Sequence, residues 1–424
     1  MKILLIHNYY GSLAPSGENK VFEAEKVMLE RHGHEVEVYT RHSDEIRGDG
    51  RVERVETCRL ERELLAAKNA KSSKDVGRVG GFRKLWGMIK GALCTVGNPF
   101  AARDVARKCR EFKPDVVHFH NTFPLISPLA DWAASKYAPV VMTLHNYRTA
   151  CAAGVPTRDG KVCSLCLEKK CIWDGVRYRC YRGSLLATLP LAINIAMYRK
   201  CLWKWISKVI ALTDFQRENL GRLGWSYDRV VIKPNFVIES EFSVALRKCR
   251  SNSLLYVGRL SSEKGVMTML RAWKSLSCET RLLIVGDGDL RKECEELATG
   301  VNVEFLGNCS NSEVRRLMRE SLGVIISSEC WEGLPITLVE SLSEGTPLVV
   351  SNTGPLPRLI KENQFGEVFE AGNVEACAAA IERLLERKDY DEMCAEARRV
   401  AKMMYSEESN YEQLMKIYES VKYA

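Results

Sequence analysis

Two glutamates, Glu332 and Glu340, flank the turn Gly333-Leu334-Pro335 in the stretch CWEGLPITLVESLSEGTPLVVS (330–351). Proline suits the first turn of a helix, where its missing N–H would have no intrahelical partner. Glu332 is therefore expected just before a helix, beside free backbone donors, and Glu340 about two turns inside it. A carboxylate at a helix start can bind the hydroxyls of a sugar. One inside the helix can accept both hydroxyls of a ribose, as carboxylates do in other nucleotide sites. Read alone, Glu340 is equally a solvated helix glutamate. A second stretch, YVGRLSSEKG (256–265), ends an apolar run in Gly258-Arg259 and sets Lys264 five residues on. A guanidinium fork and a point charge converging there would neutralise a diphosphate, helped by helix N–H groups. Two solvated surface cations are the alternative. IVGDGDL (284–290) lacks a full GxGxxG, and a tight strand-to-helix turn explains its glycines; no GxxxxGK[ST] phosphate loop occurs.

These residues need elements that hold them, and the sequence supplies a regular series. Runs such as KILLIHN, HEVEVYT, PDVVHFHN, PVVMTLHN, KVIALT, SLLYVGR, RLLIVGD, VNVEFLG, GVIISS and PLVVS are nearly continuous in Val, Ile and Leu. Strands covered on both faces look like this, and helical patterns between them imply parallel sheets. Ligands in such sheets bind beyond the carboxyl ends of the strands. His120-Asn121, His145-Asn146, Gly258-Arg259, Gly286-Asp287-Gly288, Gly307-Asn308 and Glu332 all stand at those ends. A histidine there is a site candidate or a hydrogen-bonded core residue.

A chain of 424 residues with 46% hydrophobic and 27% charged residues reads as globular, with two or three domains. The opening MKILLIHNYYG has too short an apolar run for a signal peptide and is expected to be a buried strand. No apolar run approaches the ~20 residues of a spanning helix, so a cytoplasmic protein is expected. The net charge of +8 is uneven: residues 1–235 hold 39 Lys/Arg against 24 Asp/Glu, and the remainder 23 against 30. The boundary is placed in KPNFVIESEF, where the charge changes sign and the strand pattern restarts. The expected domains are 1–236, carrying a Cys-rich loop at 146–183, then 237–402, with a terminal helix at 403–424 packing back on the first. The basic half suits phosphates, nucleic acid or an anionic membrane. Residues 68–113 hold 12 Lys/Arg against three acids, and Phe82, Leu85, Trp86 and Ile89 fall at helical spacing beside Arg83, Lys84 and Lys90. With the apolar stretch 184–205, this is the pattern of helices lying on an anionic bilayer surface, or of helices buried in the first core.

Five of the 16 cysteines fall close together: Cys151, Cys163, Cys166, Cys171 and Cys180. A C-x2-C knuckle with further thiols nearby fits tetrahedral zinc. Reduced thiols that pack the loop, a disulfide and an iron–sulfur centre are the other readings.

Taken together, Glu332-x7-Glu340 with Gly333, GRLSSEKG, PNFV, PDVVHFHNTFPLISPLA, VVMTLHNYRTAC, CYRGS and KVIALTDFQRENL resemble the retaining nucleotide-sugar glycosyltransferases of family four, in a subgroup that builds bacterial capsule, exopolysaccharide and lipopolysaccharide. The resemblance covers nearly the whole chain and implies the GT-B fold, two facing Rossmann-like domains with the site between them. It implies that Glu340 binds the donor ribose, that Glu332 binds the donor sugar, and that Arg259 and Lys264, next to Gly258, hold the diphosphate. His145 would reach the transferred sugar, the turn Gly333-Leu334 would offer N–H donors to the same molecule, and Gly17 would stand in the glycine loop after the first strand. It also favours Cys151, Cys163, Cys166 and Cys180 as a structural zinc set, with no cofactor for catalysis. The expected partners are a nucleotide diphosphate sugar, a lipid-linked or polysaccharide acceptor and the inner face of the membrane, and not nucleic acid. A nucleic-acid-binding protein with a zinc unit would leave Arg259, Lys264, Glu332 and Glu340 without a role. A GT-B epimerase would keep the nucleotide site but not the acceptor-side motifs.

Overall fold

The structure, a computed structural model, describes residues 1–11, 17–46, 52–54, 93–123, 126–199, 201–238 and 250–422. The basic stretch around Arg83, Lys84 and Lys90 lies outside them. The first sheet is formed by β1 (Lys2–Gly11), β2 (Glu35–Ile46), β3 (Val52–Arg54), β4 (Val116–Phe119), β5 (Val140–Leu144), β8 (Lys208–Ala211) and β9 (Val230–Ile232). Its order is β3-β2-β1-β4-β5-β8-β9, parallel throughout except for β3, which pairs antiparallel with β2 at the edge. A small hairpin, β6 (Thr157–Arg158) and β7 (Lys161–Val162), sits in the Cys-rich loop. The second sheet comprises β10 (Ser253–Val257), β11 (Arg281–Val285), β12 (Val303–Gly307), β13 (Gly323–Ile326), β14 (Leu348–Ser351) and β15 (Gly366–Phe369), in the order β12-β11-β10-β13-β14-β15. Counted within its own domain this is 3-2-1-4-5-6, the doubly wound order of dinucleotide-binding sheets. The two parallel-sheet domains expected from the apolar runs are therefore present.

The runs are uninterrupted because both faces of each sheet are covered. Every residue of β4, β5, β13 and β14 is buried. In the first domain, Leu4, Ile6, Val117 and Val140 point into one core, and Ile3, Leu5, Val116 and Val141 into the other. The alternation follows from the two-residue period of a strand. The second core gains Leu414, Ile417, Tyr418 and Val421 from the last helix, Glu407–Lys422, which lies on the first domain.

Three strand ends are fixed by local chemistry. Thr213 caps the helix Asp214–Arg222 by accepting from Gln216 N at 3.3 Å. The Gln216 amide, so placed, donates to Leu144 O at 2.9 Å and pins the end of β5, where His145 begins. The connector PNFV is not a free linker: Phe236 is buried in the first domain, and the Asn235 amide donates to Leu334 O at 2.8 Å. Gly265 separates Lys264 from the helix Val266–Ser275 and has φ of +64°, and a Cβ there would lie 1.9 Å from Ser327 O. Only glycine fits that position.

Candidate active site

On the second domain, β13 leads through Ser327 and Ser328 to Glu332, and Pro335 opens the helix Ile336–Ser343. Glu340 is the fifth residue of this helix, little more than one turn in. That is closer to the turn than the two turns expected, because the helix begins only after Pro335. Lys264, from the short turn Ser262–Lys264 after β10, is ion-paired with Glu332 Oε1 at 2.5 Å, and Ser328 Oγ donates to the same oxygen at 2.6 Å. Burial alone would raise the Glu332 carboxyl, yet Lys264 outweighs it and the net shift is downward. Burial likewise disfavours the Lys264 ammonium, and Glu332 reverses that, so its pKa is raised. The pair is thus a charged one, held at a strand end. Arg259 is exposed and only loosely paired with Glu263, at 3.7 Å.

Glu340 is 3% exposed. Its Oε1 accepts from the Asn311 amide at 2.6 Å and lies 3.4 Å from Lys20 Nζ of the first domain. Its second oxygen has no partner among the described residues. Leu334 is buried in the second core, and its carbonyl accepts from the Asn235 amide.

The first domain meets these residues closely. A Cβ on Gly333 would lie 3.1 Å from His145 O, and one on Gly17 would lie 3.3 Å from Ile336 Cγ2. Tyr147 OH donates to Glu332 O at 3.2 Å, and the Tyr147 and Trp331 rings meet edge to face at 5.8 Å. His145, Glu332, Gly333, Gly17 and Glu340 are therefore brought to one cleft.

His145 is the outer member of a buried network. Its Nε2 lies 3.0 Å from His120 Nδ1, and the rings stack. Glu25 Oε1 lies 3.2 Å from His120 Nε2 and 2.9 Å from His118 Nδ1, while Lys233 Nζ donates to Glu25 Oε2 at 3.0 Å and to Asn410 Oδ1 at 2.9 Å. Burial opposes ionisation of Glu25, but Lys233 and His118 hold its pKa well below the usual carboxylate range. Burial, with the neighbouring rings, pushes His120 and His145 down to about 3, so both are neutral. Between the two neutral rings, one nitrogen of the His120 Nδ1–His145 Nε2 contact must carry the proton and the other accept it. Glu25, His118 and His120 are the one group among the described residues with three ligand atoms within 4.8 Å of one another. The Lys233 ammonium already supplies its cation.

Glu18, Lys20, Glu25, Lys233 and Asp131 were not singled out from the sequence. Glu18 bridges the two histidine strand ends, accepting from Asn121 Nδ2 at 2.6 Å and Asn146 Nδ2 at 3.1 Å. Glu25 did carry a signal: it falls in the buried stripe Val21, Phe22, Glu25, Met28, Leu29 of the first helix, where a carboxylate needs a partner.

Cys151, Cys163, Cys166 and Cys180 line one small cavity, with Tyr147 and Trp331 on its wall. Cys171 is not among its lining residues. Burial pushes the Cys151 and Cys166 thiols up to about 11 and about 12. The loop leans on the helix Leu185–Tyr198, where Ala152 and Ile172 meet Ala192 and Ile195. That helix buries Leu191 and leaves Leu185, Leu186 and Met197 exposed. Among the described residues, no helix is long and apolar enough to cross a membrane.

Comparison with known proteins matches residues 16–235 to the glycosyl transferase 4-like domain and residues 238–401 to glycosyl transferases group 1. A sulfoquinovosyl transferase of Arabidopsis thaliana is 25% identical over 309 residues, which cover 71% of this chain and 55% of that protein. The chain thus spans about half the length of this relative. A phosphatidyl-myo-inositol mannosyltransferase of Mycobacterium leprae is 27% identical over 264 residues, covering 57% of this chain and 69% of that one. Among solved structures, the Anabaena protein HepE, crystallised with UDP and glucose, superposes with a TM-score of 0.61 at 16% identity, covering 99% of this chain and 100% of its own. Likeness at that identity is likeness of fold: two facing Rossmann-like domains.

Proposed function

Because this chain belongs to the glycosyl transferase 4-like family, we propose that it moves a sugar from a nucleotide diphosphate sugar to a hydroxyl of a lipid-linked glycan, in the assembly of a cell-surface polysaccharide. The observation that carries this reading is the Lys264–Glu332 pair, with Tyr147 OH donating to the Glu332 carbonyl and the adjoining Gly333 set against His145 O across the cleft. Glu340 takes the ribose hydroxyls and Glu332 those of the donor sugar. Lys264 and Arg259 take the diphosphate. A bound donor therefore draws Lys264 from Glu332 toward phosphate and leaves Glu332 free to accept from the sugar. Those two cations and the N-terminus of the helix Val266–Ser275 offset the charge of the leaving group.

No side chain of the cleft is assigned as a nucleophile, so the reaction proceeds on one face with retention. The bond from the anomeric carbon to the diphosphate oxygen breaks, the acceptor oxygen bonds to that carbon from the same side, and its proton passes to the leaving phosphate. The neutral His145 orients the sugar. The relatives named for lipid-borne acceptors, such as the phosphatidyl-myo-inositol mannosyltransferase, support an acceptor of that class, and the UDP complex of HepE supports a first trial with UDP-sugars. UDP-, GDP- and ADP-sugars should be screened by thermal shift, and the product of the stabilising donor examined by NMR. Stabilisation by one nucleotide series, with a product of the donor's own anomeric configuration, is the expected result. No stabilisation, or an inverted product, overturns the reading.

The first domain works on the inner face of an anionic membrane, a reading supported by its basic charge and by exposed Leu185, Leu186 and Met197. Sedimentation with anionic vesicles should fall when Leu185 and Leu186 are both changed to Asp, and should fall with salt in the wild type. Unchanged sedimentation removes this helix from the contact. In the Cys-rich loop, Cys151, Cys163, Cys166 and Cys180 line one cavity and are of the residue type zinc takes, but no three of their sulfurs lie within 4.8 Å of one another, so zinc would have to draw them together. About one zinc per chain is expected by elemental analysis after reducing, chelator-free purification, and the double variant C163S/C166S should lose it. Metal-free protein from that preparation sinks the assignment.

A further inference from the structure

Behind His145 the first domain holds an open-mouthed cavity of about 90 Å³. One wall is apolar and includes Leu191 and Ile195 of the helix Leu185–Tyr198. Facing the same space are three polar groups, each with at least one atom that has no hydrogen-bond partner among the described residues. Asp131, in the short helix Leu129–Ala134, is 0% exposed, and neither of its carboxylate oxygens has a hydrogen-bond partner among the described residues. Arg148 donates through Nη1 to Ala152 O at 3.1 Å and lies over the Phe123 ring, yet its Nε has no partner. Arg199 donates through Nη1 to Lys170 O at 3.2 Å, and its Nη2 has none.

Buried polar groups are almost always satisfied, and an unpaired buried carboxylate is among the most destabilising things a fold can hold. Burial raises the pKa of Asp131 well above the usual range. Three such groups around one cavity, which His145 also lines, point to a ligand that completes them. We propose that this cavity is the acceptor subsite: Asp131 accepts from hydroxyls of the acceptor sugar, and Arg148 Nε and Arg199 Nη2 donate to a phosphate attached to that sugar. The apolar wall continues on a helix whose outer face carries exposed Leu186 and Met197, a path for a hydrocarbon chain on the phosphate. The ligand class is thus a glycosyl phosphate with an apolar tail. This inference rests on the transferase reading and assigns its acceptor.

The test uses a hexose 1-phosphate esterified with an octyl chain as the probe, titrated by calorimetry into the full chain, with nucleotide-sugar affinity measured in parallel. Wild type should bind the probe. Asp131→Asn and Asp131→Leu should weaken it by ten- to a hundredfold, and Arg199→Gln should abolish the preference for the phosphorylated probe over octyl glucoside. Nucleotide-sugar affinity should not change. Asp131→Leu should also raise Tm, since it removes an unpaired carboxylate from the interior. That combination, more stable but unable to bind, is not what a structural role gives. Probe affinity unchanged in Asp131→Leu, or no probe binding by a wild type that binds its donor, overturns the subsite. Failure of every nucleotide sugar to bind would overturn the transferase reading instead.

Discussion

Glu25→Ala should be the most destabilising single change in the first domain, by about 3–5 kcal/mol, the usual result of removing one partner of a buried ion pair. Lys233 is 2% exposed and would keep its charge with only Asn410 to receive it. The denaturant midpoint of the first-domain transition measures the loss, and a shift corresponding to less than 1 kcal/mol would show that the network is not held by charge. Lys233→Met together with Glu25→Leu should recover much of it, because both charges leave at once. The same cluster makes the domain acid-sensitive. Burial holds the folded-state pKa of His120 and His145 at about 3, far below the ~6.5 of an unfolded histidine. The unfolded chain therefore binds more protons between those values, and stability falls as the pH drops below about 6.5. Glu25, whose folded pKa is depressed, adds a loss in the same direction at more acid pH. A midpoint constant from pH 7 to pH 5 would contradict this.

The second large effect is expected at Glu340. Glu340→Gln should weaken donor binding ten- to a hundredfold, since a charged hydrogen bond contributes about 1.5–3 kcal/mol. Its amide oxygen can keep the bond from Asn311, but an NH₂ group then stands where the second carboxylate oxygen would accept from the ribose. Glu332→Gln should leave the affinity for the free nucleotide diphosphate intact and lower it only for the sugar-bearing donor. Calorimetry with both ligands separates the two roles. Unchanged donor affinity in Glu340→Gln would remove that residue from the site.

Much of this arrangement is legible in one dimension. Continuous apolar runs declare strands buried on both faces, and a doubly wound sheet places its site at strand ends, so Lys264, His145 and Glu332 could be located by counting. The strands Val230–Ile232 and Gly366–Phe369 were not in the expected series, because runs so short carry little pattern. The network behind His145 was illegible for a different reason. Glu25 and Lys233 are 208 positions apart, and Glu25 meets His118 and His120 only through the crossover order of the sheet. A buried charge spells the same letter as a solvated one. Asp131 has the same property: among the apolar residues of PLADWAA only three-dimensional accounting shows that its carboxylate is unanswered.

The last helix, Glu407–Lys422, lies on the domain that begins the chain. On the ribosome this inverts the usual order, in which the leading domain folds first. Residues 1–235 can emerge and collapse, but Lys233 lacks Asn410, His118 lacks Tyr418, and one face of the sheet lacks Leu414 and Ile417 until the final turns are released. The central domain, complete within itself, can reach its native state while the leading one waits. A polypeptide that stops at Ser406 would thus carry a complete second core beside an unfinished first domain, and the two domains cannot be made as separate, self-sufficient proteins by cutting at the connector.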